Sequence, residues 1–268
     1  AMASGEFHAQ LRVRKIPLPR WRVLAVLDGT EGLTVGELAV GLDAVTAGEG
    51  EDLGAGALRE LLPKRGGAVF IDAAAYAYII QNRLYGSKAD WDWLRERVFS
   101  SMQPKRIPHT LGCEAEAVKL ANRWGADPDE TREAAILHDI TKHLKLEDQL
   151  QLCRKYDIMT DNVETAEVKL LHAKTGAAVA RDIYGASQVV HDAIFWHTTG
   201  RADMALLEKI IYVADYIEPT RDFAGLDILR SLAYRDLDGA VATGLRMSID
   251  DMSLRGIEPH KRTAEALA

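Results

Sequence analysis

The sequence lacks the features that would place it in several common protein classes. Cysteine is almost absent: Cys113 and Cys153 are the only two in 268 residues, and they do not form a CxxC pair. That is too few for a disulfide scaffold, so both are read as reduced, buried thiols. Basic charge is also short, since 33 Lys and Arg stand against 40 Asp and Glu for a net charge of −7. A protein that grips nucleic acid through general charge needs the opposite balance to displace counterions from phosphates. The opening AMASGEF has neither the basic start nor the apolar centre of a signal peptide. No apolar run approaches the roughly 20 residues needed to cross a bilayer. Repeats and a low-complexity tail are missing too. These absences give the expectation of a cytoplasmic protein with no nucleic-acid or membrane partner. An anionic small molecule stays compatible with the net charge if a bound metal supplies local positive charge.

Long strand-like alternation is missing from Ala89 onward, and helical spacing takes its place. Trp91, Leu94, Val98 and Phe99 share one face of a helix over Asp90–Met102, with Pro104 and Pro108 read as breaking the run. Thr110–Trp124 follows, stopped by Gly125. Asp127, Pro128 and Asp129 start the next helix, which is expected to carry His138, Asp139 and Lys142. Further helices are predicted over Leu146–Tyr156, Thr165–Tyr184, Ser187–His197, Met204–Ile217 and Asp236–Leu254. Residues 1–88 have a different texture, punctuated by glycine. There Trp21–Leu27 is apolar and β-compatible, Leu33–Leu42 reads as a short helix or strand, Val69–Ile71 as a brief strand and Ala73–Asn82 as a helix. The expected fold is mainly α: a helical domain over 89–268 with a small N-terminal α/β appendage over 1–88.

The chemistry gathers on AAILHDITKH, residues 134–143, where an apolar run delivers His138 and Asp139 side by side. Imidazole and carboxylate are ligands for divalent metals, and a carboxylate can bridge two ions. Elsewhere His109 sits at a helix start, His172 follows Val168–Leu171, His197 closes HDAIFW and Asp215 lies within IIYVADYI. A carboxylate among such apolar neighbours costs considerable free energy unless a cation meets it. Four histidines and two aspartates, each beside apolar sequence, therefore point to a metal site.

The order H…HD…H…H…D resembles the HD-domain metal-dependent phosphohydrolases. The segments HTLGCEAEAVKLANRWGAD, AAILHDITKH, LLHAKTGAAVARDIYG, AIFWHTTGRADMALLEKIIYVADYIEPTRDF and LRSLAYRDLDGAV narrow the resemblance to the YqeK-type bacterial symmetrical bis(5′-nucleosyl)-tetraphosphatases. It covers about Asp90 to the C-terminus and implies an HD-domain helical bundle. Carried over by position, it implies that His109, His138, Asp139 and Asp215 hold one metal. His172 and His197 then hold a second, with Asp139 bridging. The implied metals are two divalent ions, typically iron, though nitrogen and oxygen ligands also suit Mn, Co, Ni and Zn. The implied reaction splits diadenosine tetraphosphate into two ADP. Two metals suit such hydrolysis because they generate a hydroxide and neutralise charge on phosphate oxygens. Alternatives are an HD phosphohydrolase acting on another nucleotide, such as a nucleoside monophosphate or a guanosine polyphosphate, or a nucleotide-binding protein without catalysis. Oligomeric state is open, and a homodimer is compatible with the sequence.

Within this frame Asp139 and Lys142 are the catalytic candidates, Lys142 as a phosphate contact. Thr198, Thr199, Gly200 and Arg201 follow a proposed ligand and are well placed for polyphosphate; a helix C-cap at Gly200 is the competing reading. Arg221 and Arg106 are further phosphate candidates. Trp196 fits helix packing or stacking on an adenine. His143 and His191 are assigned structural or solvent roles, and His8 and His260 are placed in tails. Residues 54–86, with GAGALR, LLPKRGGAVFI and AYAYIIQNRLYG, resemble the C-terminal end of bacterial nicotinate mononucleotide adenylyltransferases. The chain has no HxGH motif, and Gly and Ala replace the hydroxyls of that family, which implies a module without nucleotidyl transfer.

Overall fold

The computed structural model describes residues 55–166 and 168–268. They divide into two units, one of residues 55–94 with Ile183–Gly185, the other of Arg95–Asp182 with Ala186–Ala268. No helix among the described residues is long and apolar enough to cross a membrane.

In the first unit, α1 (Ala55–Leu61) and α2 (Ala73–Gln81) are joined through 3-10 turns at Leu62–Lys64 and Ala68–Phe70. Asp72 caps α2 by accepting the amides of Ala74 and Ala75, which satisfies donors a helix start leaves over. The strand expected at Val69–Ile71 is not formed. Phe70 N–H turns back to Gly67 O at 3.1 Å, and no strand occurs among the described residues to pair with it. The described part of the appendage is thus helical rather than α/β. Trp21–Leu27, Leu33–Leu42 and His8 lie outside the described residues. Leu58, Leu62, Tyr76, Ile79 and Ile80 are fully buried, and Tyr76 Oη accepts the amide of Asp90 at 2.8 Å. The Arg65 guanidinium lies 3.7 Å above the Trp91 ring.

After α3 (Trp91–Ser101), whose first four residues belong to the first unit, the second unit takes in α4 (Ile107–Trp124), α5 (Pro128–Leu137), α6 (Leu146–Lys155), α7 (Asn162–Ala166) and α8 (Val168–Tyr184), of which Ile183 and Tyr184 count with the first unit. It continues with α9 (Gln188–Trp196), α10 (Leu206–Ile217), α11 (Leu226–Ala233), α12 (Leu237–Leu254) and α13 (Lys261–Leu267). The caps are mostly those the sequence advertises: Asp127 before α5, Ser187 before α9 and Asp236 before α12 each accept amides of the first turn. Gly125, at φ 80°, ends α4 in a left-handed conformation that glycine adopts without steric cost.

Some boundaries differ from expectation. Pro108 lies in the first turn of α4, where the missing N–H costs nothing. α11 and α13 were not foreseen. α4 packs on α5 and α10, α9 packs on the same pair, and α12 packs on α10, α11 and α13. Ala117, Ala121, Ala134, Ala135, Ala193 and Ala214 are all fully buried on the first four of these helices, small enough to let their backbones come close.

Candidate metal centre

His138 and Asp139 do not lie on α5, as expected, but on the turn that follows it: α5 stops at Leu137 and residues 138–143 are turns. This turn is fixed by its own polar atoms. Thr141 Oγ1 donates to His172 O at 2.9 Å, and Gln149 Nε2 donates to Thr141 O at 2.7 Å.

The turn sets Asp139 between two histidine pairs. Its Oδ2 faces His138 Nε2 at 3.3 Å and His109 Nε2 at 3.5 Å. Its Oδ1 faces His172 Nε2 at 3.1 Å and His197 Nε2 at 3.7 Å. Asp215 Oδ1 lies 3.2 Å from His109 Nε2. The six residues named from the sequence are therefore brought to one place, from the start of α4, the turn after α5, α8, the end of α9, and α10. All four histidines and Asp139 are buried.

The donor set fits divalent metal, on three observations. His138 Nδ1–H donates to Ala135 O at 2.7 Å and His197 Nδ1–H donates to Ile194 O at 2.6 Å, which leaves each Nε2 with a free lone pair. Such nitrogens converge, with His109 and His138 Nε2 atoms 3.4 Å apart and those of His172 and His197 3.1 Å apart. At that separation one ion can meet both nitrogens of either pair. Asp139 Oδ1, finally, is buried and accepts no hydrogen bond, as suits an oxygen whose partner is an ion. Burial holds the imidazolium forms of His138 and His197 down, His197 to about 4. Burial alone would raise Asp215, but the His109 hydrogen bond and the charges of Lys142 and Arg221 hold its carboxyl well below the usual range.

Three of the cations proposed as phosphate contacts ring these carboxylates. Arg106 is ion-paired with Asp139. Lys142, reaching back along the turn rather than along a helix face, lies 3.1 Å from Asp139 Oδ1, and burial pushes its ammonium down to about 8. Arg221 donates to Asp215 Oδ1 at 2.5 Å. The stretch after His197 is engaged locally instead. Gly200, at φ 65°, donates its amide to Trp196 O at 2.8 Å, a C-cap for α9, and Thr199 Oγ1 donates to Gly200 O. Arg201 pairs with Glu208 through two hydrogen bonds of 2.9 and 2.8 Å. Thr198 and Trp196, which flank His197 in the chain, line a cavity of about 500 Å³ with Phe195, Lys174, His260 and Arg262. The Arg201 and Arg262 guanidiniums lie 5.9 and 5.7 Å from the centre of the Trp196 ring.

Two residues take places the sequence did not suggest. His260, expected in a tail, is buried, caps α13 and bonds Asp161; its signal was only that it precedes a short amphipathic run. Glu218, unassigned at first, is buried with its Oε1 3.0 Å from His109 Nδ1. The reasoning applied to Asp215 could have found it, because Glu218 closes the same apolar helix.

The model of the HD domain matches residues 106–220. The symmetrical bis(5′-nucleosyl)-tetraphosphatase of Bacillus subtilis is 41% identical over 142 residues, covering 53% of this chain and 76% of that protein. A solved structure from Clostridium acetobutylicum, described as a predicted HD superfamily hydrolase involved in NAD metabolism, superposes with a TM-score of 0.65 at 35% identity. It covers 68% of this chain and 96% of its own. The probable nicotinate-nucleotide adenylyltransferase/Ap4A hydrolase of Mycoplasma pneumoniae is 31% identical over 176 residues, covering 62% of this chain and 47% of that protein. The fold and the ring of histidines around Asp139 define an HD-domain metal-dependent hydrolase. Within that class, the chain belongs to the family of the symmetrical bis(5′-nucleosyl)-tetraphosphatases.

Proposed function

We propose that this chain hydrolyses diadenosine tetraphosphate symmetrically to two ADP at a centre of two divalent ions. The observation that carries the reading is Asp139, with one oxygen facing His109 and His138 and the other facing His172 and His197. That arrangement provides one carboxylate shared between two sets of imidazole nitrogens. His109, His138, Asp139 and Asp215 would hold one ion, and His172, His197 and Asp139 the other. Iron is the proposed metal; the nitrogen and oxygen donors also suit Mn, Co, Ni and Zn. When bound, the ions supply positive charge for the phosphate oxygens and an activated water.

The protein's own groups do the rest. Lys142, Arg106 and Arg221 stand beside the two aspartates and exchange these partners for phosphate oxygens, charge-assisted contacts that neutralise the polyphosphate. Thr198 and Thr199 are proposed phosphate contacts further along. Trp196 offers a half-buried ring to a base on the cavity wall, with Arg201 and Arg262 beside it. The backbone carbonyls behind His138 and His197 hold both rings in the tautomer that keeps Nε2 available.

The test is chromatographic product analysis after incubation of the reduced protein with diadenosine tetraphosphate and ferrous or manganous ion. ADP as the sole product is expected. AMP plus ATP would mean asymmetric cleavage, and no product would move the assignment to another phosphate substrate.

A further inference from the structure

We propose that Glu218 is a positioning residue for the metal centre: it orients His109, and the absence of a side chain at Gly112 is what lets it do so. The inference rests on the metal-centre reading above.

Glu218 lies just beyond the C-terminus of α10, three residues after Asp215, and its side chain is completely buried. A buried carboxylate needs hydrogen bonds to offset the water it has lost. Three donors meet this one. Thr220 N–H donates to Oε2 at 2.7 Å, Thr220 Oγ1–H donates to Oε1 at 2.5 Å, and His109 Nδ1–H donates to Oε1 at 3.0 Å. With its Nδ1 proton committed to Glu218, His109 presents the Nε2 lone pair, and that nitrogen is the one 3.2 Å from Asp215 Oδ1 and 3.4 Å from His138 Nε2.

The supports behind the histidines differ in kind. His138 and His197 lean on backbone carbonyls, Ala135 O and Ile194 O, which are neutral acceptors, whereas His109 leans on a full negative charge. A carboxylate behind an imidazole fixes the ring and makes its far nitrogen a stronger donor. The ion held by His109 is therefore the one whose affinity Glu218 governs.

Gly112 shows that the packing is built around this contact. It lies on α4 one turn after His109, in ordinary helical backbone, so conformational freedom is not what calls for glycine there. Space is: a Cβ at 112 would come 2.5 Å from Glu218 Oε2 and 3.2 Å from Pro219 Cδ. Alanine at this position, the best helix former elsewhere, would push the carboxylate off His109.

The experiment is calorimetric titration of metal-free protein with cobaltous ion, for wild type, Glu218→Gln and Gly112→Ala. Wild type is expected to bind two ions. In Glu218→Gln one of the two should bind about 10- to 100-fold more weakly, the effect usual for a lost partner behind a ligating histidine, with the other unchanged. Gly112→Ala keeps the carboxylate but displaces it and should weaken the same ion. Added metal should restore turnover in both variants, which a loss of structure would not permit. Wild type that binds no ion overturns the metal-centre reading itself. Wild type binding two ions, with both variants matching it in both affinities, overturns the role of Glu218 alone. So does a variant whose metal-free form melts far below wild type while its ion affinities are unchanged. Should Glu218→Gln fail to fold, the Gly112→Ala titration decides the matter on the same criteria.

Discussion

Among the described residues of the second unit, two clusters contain histidine and acid within metal-binding distance of one another, and they are wired in opposite senses. At the first, His138 and His197 give their Nδ1 protons to backbone carbonyls, so their Nε2 lone pairs point inward. At the second, Asp161, Glu164 and His260 bring their ligand atoms within 4.8 Å, yet His260 Nδ1 accepts the amide of Arg262 at 3.2 Å. Its proton therefore sits on Nε2 and is donated to Asp161 Oδ2 at 3.0 Å. Glu164 already has a cation, with Lys174 Nζ 2.6 Å from Oε1 and 2.7 Å from Oε2. The second cluster is a closed set of donors and acceptors that fastens the start of α13 to the start of α7. The first leaves imidazole lone pairs pointing inward for an ion. Residue types do not separate them; the atom that carries the imidazole proton does.

The sharpest way to break this comparison is Asp139→Ala. Losing the shared oxygen pair should lower turnover by about a thousandfold or more, since the ions together supply several kcal/mol. Metal content by atomic absorption should fall while far-ultraviolet circular dichroism stays unchanged; retained activity would sink the proposed site.

Next in size is removal of metal from the intact protein. A chelator should abolish turnover reversibly and lower thermal stability, by about 4 kcal/mol when the ion had been present at a thousand times its Kd. A scan of Asp139→Ala with and without chelator should show no such difference.

Lys174→Met tests the other cluster. Stripping the buried Glu164 of its cation should cost on the order of 2 kcal/mol, less than for a fully buried pair because Lys174 is partly exposed. No metal should be gained at that place, because His260 still offers Nε2–H. A newly bound divalent ion in calorimetry would mean that Lys174 alone kept the two clusters apart.

His260→Ala should cost about 1–3 kcal/mol in chemical denaturation, through two hydrogen bonds lost at a buried position, with metal content near wild type. The smallest effect is a pH dependence. Amide hydrogen bonds from Glu164 and Val163, together with His260, hold the Asp161 carboxyl below its ordinary value. A depressed carboxyl contributes stability that is complete above the unfolded value and is lost as pH falls through the folded one. Acid unfolding of wild type should therefore show a contribution below about pH 4 that is missing from Asp161→Asn.

The gathering of these residues was legible in the chain, because apolar neighbours around His138 and His197 announce that polar groups there are buried and must be satisfied. The Asp127-Pro128-Asp129 cap likewise announced the start of α5. His260 was misplaced because its role depends on Asp161, ninety-nine positions away, and no local pattern encodes such a distance. Glu218 was passed over because its partner His109 lies far away in the chain, and Val69–Ile71 has the composition of a strand but no partner among the described residues to make it one.

What the sequence determined by itself is therefore the mainly helical class and the order of the histidines and aspartates that gather around Asp139, since periodicity, caps and burial patterns are local properties. Only the tertiary structure decided that Asp139 leaves its helix to stand between two histidine pairs, that Glu218 backs His109 through the gap at Gly112, and which nitrogen of each imidazole faces inward. Those depend on where a distant carbonyl, amide or carboxylate lies, and a hydrogen bond between remote residues exists only once the helices have packed.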